Sequence, residues 1–577
     1  MILDYTEFTG LVERFSSELP ELLASHRSTR QFAPRVRGLL EFAETRFTLA
    51  VVGQMRAGKS SLLNALIGAD LAVVGVNETT ATVNFFTHGT GDRTRSFRVH
   101  WKGRPPEDRD LSELQSWVGQ SELARETRRL EFFADTPFLR TADVVDTPGT
   151  RSLVADHQRT IDEFMAQKVD EETRRLGGGA DAIIYVIPPV ARQSDAGFLE
   201  DFSRTTRLPD SPPHNSLAVV HKWETLAGED PHAEACQKAE RIFAAMGGFV
   251  CGAFPVSAPL GMAAERYPDP FWIELLNLSL NSTGRAWSEL LLGEQEFLED
   301  EISGCPLAAI ERRRLRKTFP LPWACLKFLL ALSRRESLGS PSDLRRRVLA
   351  LSNLPRLREE LEKRFFARSR VLKMSKLVRT AWDPCQEADR VLRNHKDDLS
   401  HELDKSGRAL KVLTARIRAG DHSLAPAAEF IETASKRTGH EFEEVAERLR
   451  RLGHLIAQVK TPQEQMERDL AMLDVAEATG NALPAQTTDM LRSLFGRGGT
   501  DLVARLSFFL QRGKTSVSVS DLETVISELR MQLLAAKKNS RPAIEHALLR
   551  LEEVCNWMEE KRIPVIPIKT DAGLIKP

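Results

Sequence analysis

Residues 47–68, reading FTLAVVGQMRAGKSSLLNALIG, leave this chain few folds to choose from. The apolar run 47–52 is rich in β-branched side chains and predicts a buried parallel strand. Gly53-Gln54-Met55-Arg56-Ala57-Gly58-Lys59-Ser60 follows at once and fits the phosphate-loop pattern G-x-x-x-x-G-K-[ST]. Leu62, Leu63, Leu66 and Ile67 then recur at helical spacing, so strand, loop and helix come in the order the pattern requires. Gly53 and Gly58 permit a tight curl in which the loop N–H groups, from Gln54 through Ser61, point inward as an anion nest. The helix beginning near Gly58 adds its positive end to the same point. Lys59 is expected on the β- and γ-phosphates and the Ser60 hydroxyl on Mg²⁺. The stretch therefore predicts a nucleoside-triphosphate site in an α/β domain.

The segments that follow supply further parts in order. Residues 77–83, NETTATV, precede a strand-like run at 81–88, and 95–101 alternates apolar and polar residues as a strand that could pair with it. Thr80 stands where a nucleotide switch places its sensor of γ-phosphate and Mg²⁺. In ADVVDTPGT, a strand delivers Asp146 at its end and Pro148-Gly149 turn the chain. Asp146 is suited to the Mg²⁺ hydration shell and the Gly149 N–H to sensing the third phosphate. Buried strands are expected at 182–187 and 217–220, the latter leading into His221-Lys222-Trp223-Glu224. Guanine-nucleotide proteins usually carry N/T-K-x-D here, so Lys222 would cover the base and the Glu224 carboxylate would accept from the guanine N1–H and 2-amino group. His221 and the longer Glu224 depart from that pattern, leaving a relaxed or adenine preference as the competitor of guanine. A last strand at 253–256 delivers Ser257-Ala258, like the loop that backs the base.

The rest of the chain reads as helix. With 577 residues, length alone predicts about three or four compact units. Residues 1–45 predict one or two amphipathic helices through Leu11, Val12, Phe15, Leu19, Leu22 and Leu23. The run 152–180 suggests a switch followed by a helix. The apolar run 319–332 is broken by Pro320 and Pro322 and reads as a buried core helix rather than a membrane anchor, and 354–366 as a closing helix. From about residue 373 strand signals stop, and 373–475 and 519–562 predict long charged helices. Between them, 491–514 sets Leu494, Phe495, Phe508, Phe509 and Leu510 among Arg492, Arg497, Arg505, Arg512 and Lys514. That mixture suits an interfacial membrane contact, or equally the closing of a bundle. Lys plus Arg number 80 against 81 Asp plus Glu, so no global basic field points to nucleic acid. The six cysteines lack a C-x-x-C pair, which favours a reducing cytosol and argues against both a disulfide framework and a zinc site. The N-terminus lacks the features of a secretory signal, and no apolar run reaches the ~18 residues of a membrane span.

Taken together, GQMRAGKSSLLNALIG, ETTATVNFF, FFADTPFLRTADVVDTPGT, HKWE and SA, ahead of a long helical region, resemble the dynamin superfamily and more narrowly the bacterial dynamin-like proteins. The resemblance covers about residues 47–260 and is architectural beyond. It implies an α/β phosphate-loop GTPase head, a mostly parallel sheet flanked by helices, on an extended α-helical bundle or stalk. The implied division is a neck at 1–45, the GTPase domain at 46–370 and the stalk at 371–577, with a lipid-contacting tip at 491–514. It further implies GTP/GDP and Mg²⁺ as ligands, Thr80 as the switch threonine, head-to-head self-association, and cytoplasmic location with peripheral contact to an anionic membrane at the inner face of the cell membrane. Many dynamins carry serine where this chain has Arg56; guanylate-binding proteins and atlastins carry arginine there as a finger in cis, and the alternative is a surface ion pair for Arg56. Two other classes stay open: a nucleotide-switched protein that docks a partner without lipid, and an ATP-preferring relative.

Overall fold

The structure is a computed structural model that describes residues 5–37, 45–53, 57–71, 83–114, 126–146, 180–189, 215–246, 250–478, 483–497, 501–537 and 540–568. Its contacts divide into two compact units. One is made of Met1–Thr45 with Arg370–Pro577, and the other of Arg46–Lys168 with Gly179–Ser369. The first unit opens with helix α1 (Tyr5–Ala24), whose Phe8, Val12, Phe15, Leu19 and Leu23 form one buried stripe at the helical period.

The second unit is built on a nine-stranded sheet. In chain order the strands are β1 (Thr48–Gly53), β2 (Val83–His88), β3 (Ser96–Trp101), β4 (Glu107–Asp110), β5 (Thr127–Ala134), β6 (Asp143–Asp146), β7 (Ala182–Ile187), β8 (Ser216–His221) and β9 (Ala253–Val256). They lie in the spatial order β4-β3-β5-β2-β6-β1-β7-β8-β9. From β6 through β9 every pairing is parallel, while β2 runs antiparallel to β6 and parallel to β5. Every residue of β1 and β8 is buried, as expected of central strands covered on both faces. β3 does not pair with β2; it lies between β4 and β5, and β5 intervenes. The alternation of β3 showed a half-buried strand but carried no information on its partner, because period two is common to every strand in the sheet.

Helix α2 (Lys59–Ile67) leaves the end of β1, and α3 (Ala258–Arg266) leaves the end of β9. The apolar run around 319–332 forms α4 (Trp323–Arg335), which buries Cys325, Leu326, Leu329, Leu330 and Leu332 against Trp223, Trp272 and Phe297. It is a core helix. The helix Leu354–Arg364 follows in the same unit.

The first unit is helical. α5 (Ser369–Arg418) and α6 (Ala425–Ala478) run antiparallel, since their contacts pair rising with falling numbers. Ser375 bonds Glu467 at 2.6 Å, Lys460 lies over Trp382, His395 meets Glu441, and Lys396 lies over Phe442. α7 (Ala485–Leu494), α8 (Val519–Ala535) and α9 (Arg541–Glu560) then fold against the C-terminal part of α6. Among the described residues no helix is long and apolar enough to cross a membrane.

The segment 491–514 corrects one expectation. Leu491, Leu494, Phe495, Leu506, Phe508 and Phe509 are buried in one core with α8 and α9. Arg505 is fully buried, where its Nη2 meets Asp469 Oδ2 at 2.6 Å. Asp469 Oδ1 also takes His546 and the Nε of Arg550, at 2.6 and 2.7 Å. These residues close a helical core, and among the described residues of 491–514 the one large apolar side chain exposed is Leu510. Composition could not separate the two readings, because an arginine sealed against a buried carboxylate and an arginine facing lipid headgroups read alike.

Candidate nucleotide-binding site

The parallel part of the sheet brings its loops to one edge. β1 sits where successive strands switch from one side of the sheet to the other, the place at which open α/β sheets bind ligands beyond the C-terminal strand ends. Gly53 ends β1, Asp146 ends β6, His221 ends β8 and Ser257 follows β9, so all four arrive at that edge.

The phosphate loop needs its glycines for two different reasons. Gly58 caps α2 with φ 91°, in the left-handed region that side chains resist. A Cβ there would also stand 2.4 Å from His221 Nδ1 and 2.9 Å from Lys222 Cε. Gly53 is a matter of crowding: a Cβ would meet the Val186 carbonyl oxygen of neighbouring β7 at 2.3 Å. Lys59 Nζ donates to the Gly53 carbonyl at 3.2 Å, so its ammonium folds back over the loop. Burial pushes that ammonium below its ordinary pKa, and the Asp146 carboxylate pushes it back up.

Asp146 lies beside the first turn of α2. Its Oδ2 accepts from Ser60 Oγ at 3.4 Å, while its Oδ1 is buried with no hydrogen-bond partner among the described residues. Burial pushes the carboxyl up to about 6, against the opposing pull of Lys59 and Ser60. A hydroxyl and a stranded carboxylate oxygen are hard donors of the kind Mg²⁺ takes, and a cation there would satisfy the orphaned oxygen. Ser60 and Asp146 thus fit the metal expected of them. Ser61 is half-buried in the same turn, and Ala57 is buried.

At the other end, the expected base-binding residues divide into two roles. His221 is fully buried. Its Nδ1 lies 3.1 Å from the Ala57 carbonyl, and its Nε2 lies 3.4 Å from the Ala258 N–H. The carbonyl needs a donor and the amide an acceptor, so the ring is the neutral tautomer with its proton on Nδ1. Burial, helped by Lys222 and opposed by the Ala57 carbonyl, lowers its pKa to about 4, which keeps it neutral. His221 was expected to bind the nucleotide itself; with both nitrogens engaged by the protein, it instead ties the phosphate loop to the loop after β9.

Lys222 takes a left-handed backbone (φ 63°), and its stem passes beside Gly58. Glu224 is buried, with Oε1 accepting from Cys325 Sγ at 3.3 Å and Oε2 without a partner among the described residues. Burial pushes its carboxyl above the ordinary glutamate range. Ser257 is fully buried and caps α3, its Oγ accepting from Leu260 N–H at 3.4 Å. Cys325 was not expected here. It sits in an apolar helix about a hundred positions from Glu224, and nothing in the local pattern marks it.

Gln54, Met55, Arg56, Thr80 and Gly149 lie outside the described residues. So do the two readings of Arg56 and the switch expected at 152–180.

A glycine-lined loop between a central parallel strand and a helix, with its lysine, serine and facing aspartate, defines a phosphate-loop nucleotide-binding domain. A profile described as Dynamin family matches residues 49–201. Residues 49–201 therefore carry a dynamin-family domain. It is 27% identical over 159 residues to Dynamin-like protein 2 of Campylobacter jejuni, across 27% of this chain and 25% of that protein. It is 37% identical over 117 residues to the isoniazid-induced protein IniC of Mycobacterium tuberculosis, across 20% of this chain and 23% of that one. It is also 26% identical over 141 residues to a probable transmembrane GTPase, FZO-like, of Arabidopsis thaliana chloroplasts, across 24% of this chain and 12% of that protein. The matches therefore span a quarter or less of each relative's length. Among solved structures, an oligomerised bacterial dynamin pair aligns over 78% of this chain and 79% of its own, with 16% identity and a TM-score of 0.29.

Proposed function

We propose that this chain binds and hydrolyses GTP with Mg²⁺, and that it couples turnover to self-association and to membrane binding. The observation that carries the catalytic part is the convergence of Lys59, Ser60 and Asp146, with one Asp146 oxygen buried and unpaired beside the phosphate loop. Lys59 and the α2 N-terminus would stabilise the phosphates, while Ser60 and Asp146 would hold the cation that neutralises charge developing on them. Attack by water in line with the γ-phosphate then depends on positioning more than on a side-chain base. Thr80, Gly149 and Arg56 keep the roles that the resemblance implies for them. Guanine preference is supported by Glu224, whose unpartnered Oε2 is a buried acceptor that an N–H of the base would satisfy.

The membrane part moves from 491–514 to the turn joining α5 and α6. There Val412 and Phe430 are 61% and 75% exposed. Between 405 and 430, Lys405, Arg408, Lys411, Arg416 and Arg418 stand against two acids, Asp421 and Glu429, which favours an anionic lipid surface. The division into neck, GTPase domain and stalk belongs to the same proposal.

The test is GTP turnover over a range of protein concentrations, with and without anionic liposomes, and with Lys59→Ala as the blank. Turnover that rises with concentration and with lipid supports the proposal. Turnover flat in concentration overturns head association. Vesicle co-sedimentation unchanged by Val412→Asp with Phe430→Asp overturns the lipid contact and leaves the reading in which the helices dock a protein. Competition by ATP equal to that by GTP overturns the base preference.

A further inference from the structure

The turn after α1 is fastened to the α5–α6 pair by several contacts. Thr29 Oγ1 donates to the Leu23 carbonyl at 2.8 Å and shapes the turn. Arg448 donates to Ser25, and Arg27 pairs with Glu441 at 3.0 Å. At the centre of these contacts, His26 of the turn, His395 of α5 and Glu441 of α6 each bring one ligand atom within 4.8 Å of the others. His395 Nε2 lies 3.1 Å from Glu441 Oε1, and the two imidazole centroids are 5.7 Å apart.

We infer that His26, His395 and Glu441 form a binding site for a divalent first-row transition cation, with zinc as the chemistry that fits best. Two imidazoles and one carboxylate are the borderline donor set that zinc takes in three-ligand sites, with water completing the tetrahedron. Calcium and magnesium prefer all-oxygen sets. A tetrahedral ion about 2.1 Å from each ligand needs donors roughly 3.4 Å apart. The His395–Glu441 pair already stands at 3.1 Å, and side-chain rotation closes the rest. His26 Nδ1 lies 2.7 Å from Ser28 Oγ and 3.4 Å from the Ser28 N–H; metal binding at Nε2 places the ring proton on Nδ1, where Ser28 Oγ accepts it, the kind of outer partner that fixes a metal-binding imidazole. His26 is buried, while His395 and Glu441 are half-buried and give the ion a path in. Arg27 shares the same Glu441 oxygen but is 76% exposed, so a cation displaces it into solvent. Bound there, the ion staples the N-terminal helix to a hairpin more than three hundred positions away.

The experiment is calorimetric titration of zinc chloride into chelator-stripped, nucleotide-free full-length protein, repeated with magnesium chloride. Wild type is expected to bind one zinc tightly and to bind no magnesium at that site. His395→Gln, which keeps a donor for Glu441, and His26→Ala are each expected to weaken zinc at least tenfold. His454→Ala removes an exposed histidine of α6 that bonds Gln458 and is expected to change nothing. Cobalt loaded into wild type gives visible d–d bands that His26→Ala abolishes. Equal zinc affinity in wild type and all three variants overturns the inference, as does a wild type that binds none. Circular dichroism of the metal-free variants matching wild type shows that the losses are not of fold.

Discussion

His221→Ala is the substitution whose cost follows most directly from the site. The imidazole bridges the Ala57 carbonyl and the Ala258 N–H inside a fully buried pocket. Removing it strands both backbone groups, and each buried unpaired group costs about 1–3 kcal/mol. The sum is roughly 2–6 kcal/mol, shared between overall stability and the order of the phosphate loop. If half falls on the loop, a nucleotide must restore that order at its own expense, and affinity drops roughly 5- to 150-fold. Titration of a fluorescent GTP analogue, alongside thermal unfolding of the same samples, reads both shares. His221→Asn keeps one donor and one acceptor and is expected to recover part of each. A His221→Ala protein with wild-type affinity and an unchanged unfolding midpoint would refute the bridging role.

The same ring predicts a pH dependence. Its folded pKa of about 4 lies below the unfolded 6.5, so between those values the unfolded chain binds more protons. Stability from this group is complete above about pH 6.5 and is lost as pH falls toward 4, by up to about 3 kcal/mol. Urea midpoints of wild type and His221→Asn should accordingly converge as pH drops from 7 to 4.5. Asp469→Ala strips buried Arg505 of its carboxylate and leaves buried Arg550 with Glu553, and should destabilise the chain by about 3–5 kcal/mol in urea. Phe508→Asp with Phe509→Asp places carboxylates in a packed core, so soluble yield and unfolding temperature should fall even without lipid. Cys325→Ala removes a donor to Glu224 and should weaken GTP roughly 2- to 10-fold, with Cys325→Ser restoring most of it.

Much of the candidate nucleotide site's geometry could be read from the chain because its parts are local. A strand, a glycine-bounded loop and a helix adjacent in sequence form one supersecondary unit, so spacing alone placed Gly53, Gly58, Lys59 and Ser60. The same holds for Asp146 at a strand end and for the long helices, whose period repeats over many turns. What spacing could not supply was anything formed by residues distant in sequence. The partner of β3, the two hydrogen bonds that make His221 a tie rather than a ligand, and Cys325 against Glu224 depend on which surfaces the fold brings together. So does the fate of 491–514: its arginines and phenylalanines suited a lipid surface equally well until Asp469 was seen to meet Arg505 inside the core. The cysteine pattern spoke against a zinc site, while His26, His395 and Glu441 came together from three segments. Local sequence specifies backbone geometry and periodicity; long-range packing decides which polar groups lose water, and that determines whether a charged or imidazole side chain binds a ligand, holds a loop or seals a core.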